Sequence, residues 1–210
     1  MSTGFDISTA SYDNVSLEVN SEDTSADDVA FSTNGTKMFM IGSGTDKIFQ
    51  YSLSTGFDIS TASYDNVNLA TISQNRSPEG FTFKPDGTKM YTAAVYYGGH
   101  IYQYSLSTSF DLSTASYDSV SFSTNSEEPS CTNVVFKPDG TKMFVTGYSG
   151  AIYQYSLSTG FDISTASYDN VSFSVSSQEL YPKTVVFYSE GNKMLVIGSN
   201  SDRIFQYSIG

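Results

Sequence analysis

Apolar and polar residues alternate in short bursts along this chain. Val15-Ser-Leu-Glu-Val19, Val67-Asn-Leu69, Val120-Ser-Phe122 and Val171-Ser-Phe-Ser-Val175 each place apolar side chains at every second position. Successive side chains of a strand point to opposite faces, so a period of two predicts a half-buried strand, here the outer strand of a unit. Each burst is followed by a polar loop and a short apolar run: Val29-Ala-Phe31, Phe81-Thr-Phe83, Val134-Val-Phe136 or Val185-Val-Phe187. That run, the inner strand, ends in Thr33-Asn-Gly-Thr36, Pro85-Asp-Gly-Thr88, Pro138-Asp-Gly-Thr141 or Ser189-Glu-Gly-Asn192. Asn-Gly and Asp-Gly between apolar runs signal a hairpin, since glycine accepts the positive φ that such turns need. A second strand begins at Lys37, Lys89, Lys142 and Lys193, and a third at Ile48, Ile101, Ile152 and Ile204. Both are apolar on two faces, as expected of sheets buried between neighbouring sheets.

The third strand leads into a nearly constant linker, Ser54-Thr-Gly-Phe-Asp-Ile-Ser-Thr-Ala-Ser63 and its copies. Its phenylalanine stands at 5, 57, 110 and 161, in steps of 52, 53 and 51 residues. The chain is therefore four copies of one unit, 2–53, 54–106, 107–157 and 158–210, in a single domain. A repeat of this length without helical signals predicts four-stranded blades packed around an axis, an all-β four-bladed β-propeller. The sequence opens in an outer strand and ends in a third strand. Pairing residues 15–19 with 204–209 closes the ring and removes two exposed edges. The closure fits a monomer of four blades, or two chains exchanging outer strands in an eight-bladed ring.

Phe-Lys-Pro-Asp-Gly-Thr-Lys-Met followed by Ile-Tyr-Gln-Tyr-Ser-Leu-Ser-Thr resembles the blades of WD-repeat and YVTN-type propellers. The fuller unit, with Phe-Asp-Ile-Ser-Thr-Ala-Ser-Tyr, resembles repeat proteins of marine viruses and bacteria. The Trp-Asp and Gly-His signatures of WD blades are absent. The resemblance implies a fold and no particular activity.

Composition narrows the partners. The net charge of −12 repels nucleic acid and anionic membranes, and no basic stripe offsets it. No apolar run approaches the ~18 residues of a membrane-spanning helix. Residues 1–6 lack the basic and apolar regions of a secretory signal. Cys131 is the only cysteine, so no intrachain disulfide forms.

The hairpin turns and linkers are near copies, whereas the loops at the opposite end of each blade differ. That contrast predicts a recognition face carrying Tyr96, Tyr97, His100, Tyr148 and Tyr181, with Arg76, Lys183, Arg203 and Asp46. Tyrosine rings beside polar groups suit sugars, whose C–H faces they cover. The expected function is a non-catalytic module binding a glycan or another cell-surface ligand, in a virion-associated or adhesive role. The alternative is a structural or assembly module acting through the linker face. No cofactor is expected. Calcium at the acidic stretch 22–28 is conceivable, although its spacing matches no calcium loop. A catalytic triad would have to use His100, the only histidine, and no nucleophile motif accompanies it. Asp6, Asp58, Asp111 and Asp162 read as caps of their own turns, and Gln50, Gln103, Gln154 and Gln206 as buried amides bonding between blades.

Overall fold

The computed structural model describes residues 11–96 and 98–210. Strands β1 Ala26–Phe31, β2 Lys37–Gly42, β3 Lys47–Leu53 and β4 Ala62–Ala70 form the first blade. The second is β5 Pro78–Phe83, β6 Lys89–Ala94, β7 His100–Leu106 and β8 Ala115–Ser123. The third is β9 Cys131–Phe136, β10 Lys142–Gly147, β11 Ala151–Leu157 and β12 Ala166–Ser174. In the fourth, β13 Pro182–Tyr188, β14 Lys193–Gly198 and β15 Ile204–Ser208 make a three-stranded sheet. Every blade is an antiparallel meander, and the four form a β-propeller whose helical segments, among the described residues, are short 3-10 turns.

The double-sided apolar strands are buried between blades, as their sequence predicts. Phe39, Ile41 and Ile48 of blade one meet Phe81 and Met90 of blade two. Tyr91, Ala93 and Ile101 of blade two meet Val134 and Met143 of blade three, where Cys131 is also sealed from solvent. The linkers at 107–116 and 158–167 each fasten two blades. The phenylalanines Phe57, Phe110 and Phe161 lie over Gly35, Gly87 and Gly140, whose positive φ and missing side chain admit the ring. Gln50 Oε1 accepts the Leu112 amide of the next linker at 2.8 Å, and Gln103 Oε1 that of Ile163 at 3.2 Å. Asp58, Asp111 and Asp162 cap their turns through the amides two residues on, each at 3.0 Å.

Two features differ from the sequence reading. The outer strands begin several residues early, at Ala62, Ala115 and Ala166, because a bulge after Tyr64, Tyr117 and Tyr168 lets the pairing start inside the linker. Asn66, Ser119 and Asn170 take positive φ there. The bulge aims Asp65, Asp118 and Asp169 at Lys37, Lys89 and Lys142, at 2.7, 3.1 and 2.6 Å. The expected ring closure through residues 15–19 is the second difference. Leu17 and Val19 pack on the flank of blade one, against a cluster that includes Met38, Met40 and Phe49, and no strand forms with β15 among the described residues.

The three bulge aspartates give a pH signature. Partial burial opposes their ionisation, but bonds from the lysine, serine and glutamine outweigh it and hold the carboxyl groups below their ordinary 3.8. Asp86, bonded to Lys84 and Thr88, is lowered to about 2. A lowered folded pKa adds stability above the unfolded value, and that stability is lost as pH falls through the folded one. The melting temperature is expected to be insensitive to these groups from pH 7 to 5 and to fall between pH 3.8 and about 2. Differential scanning fluorimetry of Asp169→Asn across that range should show a shallower fall than the parent protein.

Candidate functional site

The first residues of the four inner strands converge at the propeller axis. Asp27, Glu79, Thr132 and Lys183 occupy one level, and Asp28, Gly80, Asn133 and Thr184 the next. Of these, Asp27, Asp28, Glu79, Asn133, Lys183 and Thr184 line a pocket of about 260 Å³ together with Ala26, Ile197 and Gly198. Bonds cross the axis between opposite blades and also join neighbouring ones. Asn133 Nδ2 donates to Asp28 Oδ2 at 3.3 Å and to Thr184 Oγ1 at 2.9 Å. Lys183 Nζ pairs with Glu79 and donates to the Tyr148 hydroxyl at 2.6 Å, which in turn donates to Glu79 Oε1 at 2.7 Å. The ammonium also lies 4.7 Å from the centre of the Tyr148 ring.

Burial and neighbouring charges shift Asp28, Lys183 and Tyr148. Burial pushes the Asp28 carboxyl up to about 6, and the Asp27 charge adds to the rise against bonds from Val29, Phe81 and Asn133. Burial opposes the Lys183 charge, but Glu79 and Tyr148 outweigh it and raise the pKa. Burial and the Glu79 charge also raise that of the Tyr148 phenol. At neutral pH the pocket therefore presents a carboxylate poised to take a proton and, on the same lining, a charged ammonium.

Buried carboxylates in the surrounding loops hold backbone. Glu179 accepts amides from Tyr181, Asn200 and Ser201 at 3.0, 3.0 and 3.1 Å, and Glu128 those of Ser130 and Ser149 at 3.0 and 3.1 Å. Asp23 does the same for Ser25, Gly44 and Thr45 at 2.7, 3.2 and 2.8 Å. These bonds fix the loops around the pocket, and they engage Asp23 of the acidic stretch 22–28 that suggested calcium. Among the described residues no cluster of three or more His, Cys, Asp or Glu is arranged to hold a metal ion.

Of the residues expected on the recognition face, Tyr148 and Tyr181 come together, ring centres 5.8 Å apart, beside Lys183. Tyr96 is exposed at the tip of the β6–β7 loop, and Tyr97 lies outside the described residues. Arg76 and Arg203 are exposed and in no ion pair among the described residues. Asp46 serves the scaffold, accepting the Ser77 amide at 2.6 Å. His100 opens β7 and stacks on Tyr102 at 6.0 Å. The sequence reading left Asp28, Glu79 and Asn133 out of the site. Their signal was positional: two variable residues directly before each near-constant inner strand.

No protein-family model and no curated protein matches the chain. Solved propellers do. A candidate 6-phosphogluconolactonase from Bacteroides uniformis superposes with a TM-score of 0.62 and 14% identity, covering 88% of this chain and 50% of its own. A second, from Bacteroides fragilis, gives 0.61 and 12%, over 87% and 50%. The periplasmic gluconolactonase of Pseudomonas aeruginosa gives 0.57 and 17%, over 86% and 48%. The chain spans about half the length of these structures and shares their fold. The propeller resemblance stands at that level; no family match supports a WD-repeat or viral assignment. The names of these structures are those of lactonases, and this finding overturns the expectation of a non-catalytic glycan-binding or scaffold module.

Proposed function

We propose that the axial pocket hydrolyses a small, uncharged, hydroxylated lactone. The observation that carries this reading is Asp28, a half-buried carboxyl raised to about 6 in the same pocket as the Lys183 ammonium. A general base works best with a pKa near the working pH, and developing negative charge needs a fixed donor. Asp28 takes a proton from water, and the resulting hydroxide adds to the lactone carbonyl. Lys183 has three N–H donors; Glu79 and Tyr148 take two, leaving one for the oxyanion. Collapse of the tetrahedral adduct breaks the ring C–O bond, and Asp28 returns its proton to the departing alkoxide. The net reaction is lactone plus water to hydroxy acid. The names of the similar propellers support the same chemistry.

Asp27, Asp28 and Glu79 outnumber Lys183 around the pocket, so its field disfavours a phosphorylated substrate. The test is a pH-stat assay of gluconolactone and its 6-phosphorylated form against the buffer rate. The expected result is acceleration of the neutral lactone, with kcat/KM rising through pH 6, and little turnover of the phosphorylated one. Hydrolysis of both at the buffer rate would sink the proposal. A strong preference for the phosphorylated lactone would sink the charge argument alone.

A further inference from the structure

Tyr148 departs from its counterparts in the repeat. It is the first residue after β10, a position held by Ser43, Val95 and Ser199 in the other blades. The backbone there does the same work in three blades: the amides of Ser43, Tyr148 and Ser199 donate to Ser25 O, Ser130 O and Tyr181 O at 3.0, 3.3 and 3.1 Å. The phenol is therefore an addition to the third unit. Its loop is pinned from beneath by the fully buried Glu128, which accepts the amide and the hydroxyl of Ser149. Gly147 passes so close to that carboxyl group that a side chain there would strike it. Tyr181 braces the Tyr148 ring edge-on. A held loop thus carries the hydroxyl to Lys183 and Glu79.

That hydroxyl joins residues of three blades. It accepts from Lys183 of blade four at 2.6 Å and donates to Glu79 Oε1 of blade two at 2.7 Å, while Lys183 pairs with Glu79 Oε2. Each side of the triangle restricts the others. Both oxygens of Glu79 are engaged, which sets the plane of its carboxyl group. Two of the three ammonium N–H bonds are directed, which sets the third. A lysine has a flexible four-carbon stem and a charge that turns freely, so a single ion pair would leave that direction open. We propose that Tyr148 is a positioning residue, whose hydroxyl holds the Lys183 ammonium with its third N–H directed at the carbonyl oxygen of the substrate. The assignment rests on the lactone reading of the pocket and extends it to a residue outside the pocket lining. A donor fixed before the reaction stabilises an oxyanion without having to reorganise. The phenol transfers no proton itself, because its hydrogen is committed to Glu79.

Tyr148→Phe is the test, since it deletes one oxygen and keeps the ring 4.7 Å from the ammonium and against Tyr181. Burial opposes the Lys183 charge, and bonds from Glu79 and Tyr148 raise its pKa. Without the hydroxyl the ammonium should lose its proton at lower pH. Trace acetylation between about pH 8 and 12, read by peptide mass spectrometry, follows this titration, with Lys137 of the β9–β10 turn as reference. On gluconolactone, kcat should fall about 10-fold while KM changes less than about twofold. The melting temperature should fall by only about 2–4 °C, the loss of one hydrogen bond. An unmoved Lys183 midpoint would overturn the proposal, and so would a lowered midpoint with unaltered kcat. A parent protein without lactone turnover would instead remove the hydrolysis reading, and the labelling would still decide whether Tyr148 holds the ammonium.

Discussion

Phe161→Ala is expected to cost about 3–5 kcal/mol of folding stability, the range for removing a buried phenylalanine ring. Phe161 is 8% exposed, and its ring packs on Phe136 with centres 5.6 Å apart while covering Gly140. Its carbonyl accepts the hydroxyl of the buried Tyr91 at 2.5 Å, so the linker of blade three is bolted to blade two at the same residue. Alanine keeps that backbone bond but leaves a ring-sized cavity between two rigid sheets, which collapse poorly. Backbone strain does not confound the comparison, because any side chain at φ +64° bears it, phenylalanine and alanine alike. Phe57 is the control. It occupies the same position in blade one with the same φ but is 62% exposed, so Phe57→Ala should cost much less. Urea melts of the two variants measure the difference. Equal losses would mean that the linker phenylalanines act through something other than burial.

Asp28→Asn should have two opposite effects. Lactone hydrolysis should fall by about 10²–10⁴-fold, the contribution of a well-placed general base. Stability at pH 7 should rise. The sign follows from the raised carboxyl: between 3.8 and about 6 the folded chain binds a proton that the unfolded chain releases, so stability falls as pH rises through that window. Above it, the native state carries a charge disfavoured by its surroundings, and asparagine removes that charge at nearly constant volume. The melting temperatures of variant and parent should therefore converge below pH 3.8 and separate at pH 7. A variant that loses activity together with stability at pH 7 would point to a structural role for Asp28. Such a gain in stability on losing function is the usual mark of a strained active-site group.

The fold was legible because its information is local and repeated. Alternation at Val67–Leu69, the Asp-Gly turn at 86–87 and the two-sided apolar strands each specify a piece of blade, and four copies fix the radial arrangement. The bulge at Asp65-Asn66 was hidden because it is encoded by a contact with Lys37, 28 residues away in sequence. The site was harder to read. Tyr148 was recognised as a conspicuous aromatic in a variable loop. Asp28 and Asn133 were not, because 105 residues separate them and nothing local says that two short polar side chains meet at an axis. Asp46 misled for the converse reason: an exposed-looking aspartate at a loop tip is engaged by the Ser77 amide of the following blade.

The pocket and the scaffold are written in different parts of the repeat. Linker, turn and bulge are shared, so each unit carries a complete set of fasteners for its neighbours. The axial residues are private: aspartates from the first unit, Glu79 and Gly80 from the second, Thr132 and Asn133 from the third, Lys183 and Thr184 from the fourth. A gene assembled by duplicating one module can therefore diversify its centre one codon at a time without renegotiating its joints. The converse also holds. Exchanging the second and third units in the DNA would preserve the fastenings common to both, the linker phenylalanine, the strand glutamine and the bulge aspartate with its lysine, while moving Glu79 out of its place opposite Lys183. Such a shuffled chain should fold as a propeller and lose its chemistry, separating the inheritance of architecture from the inheritance of function.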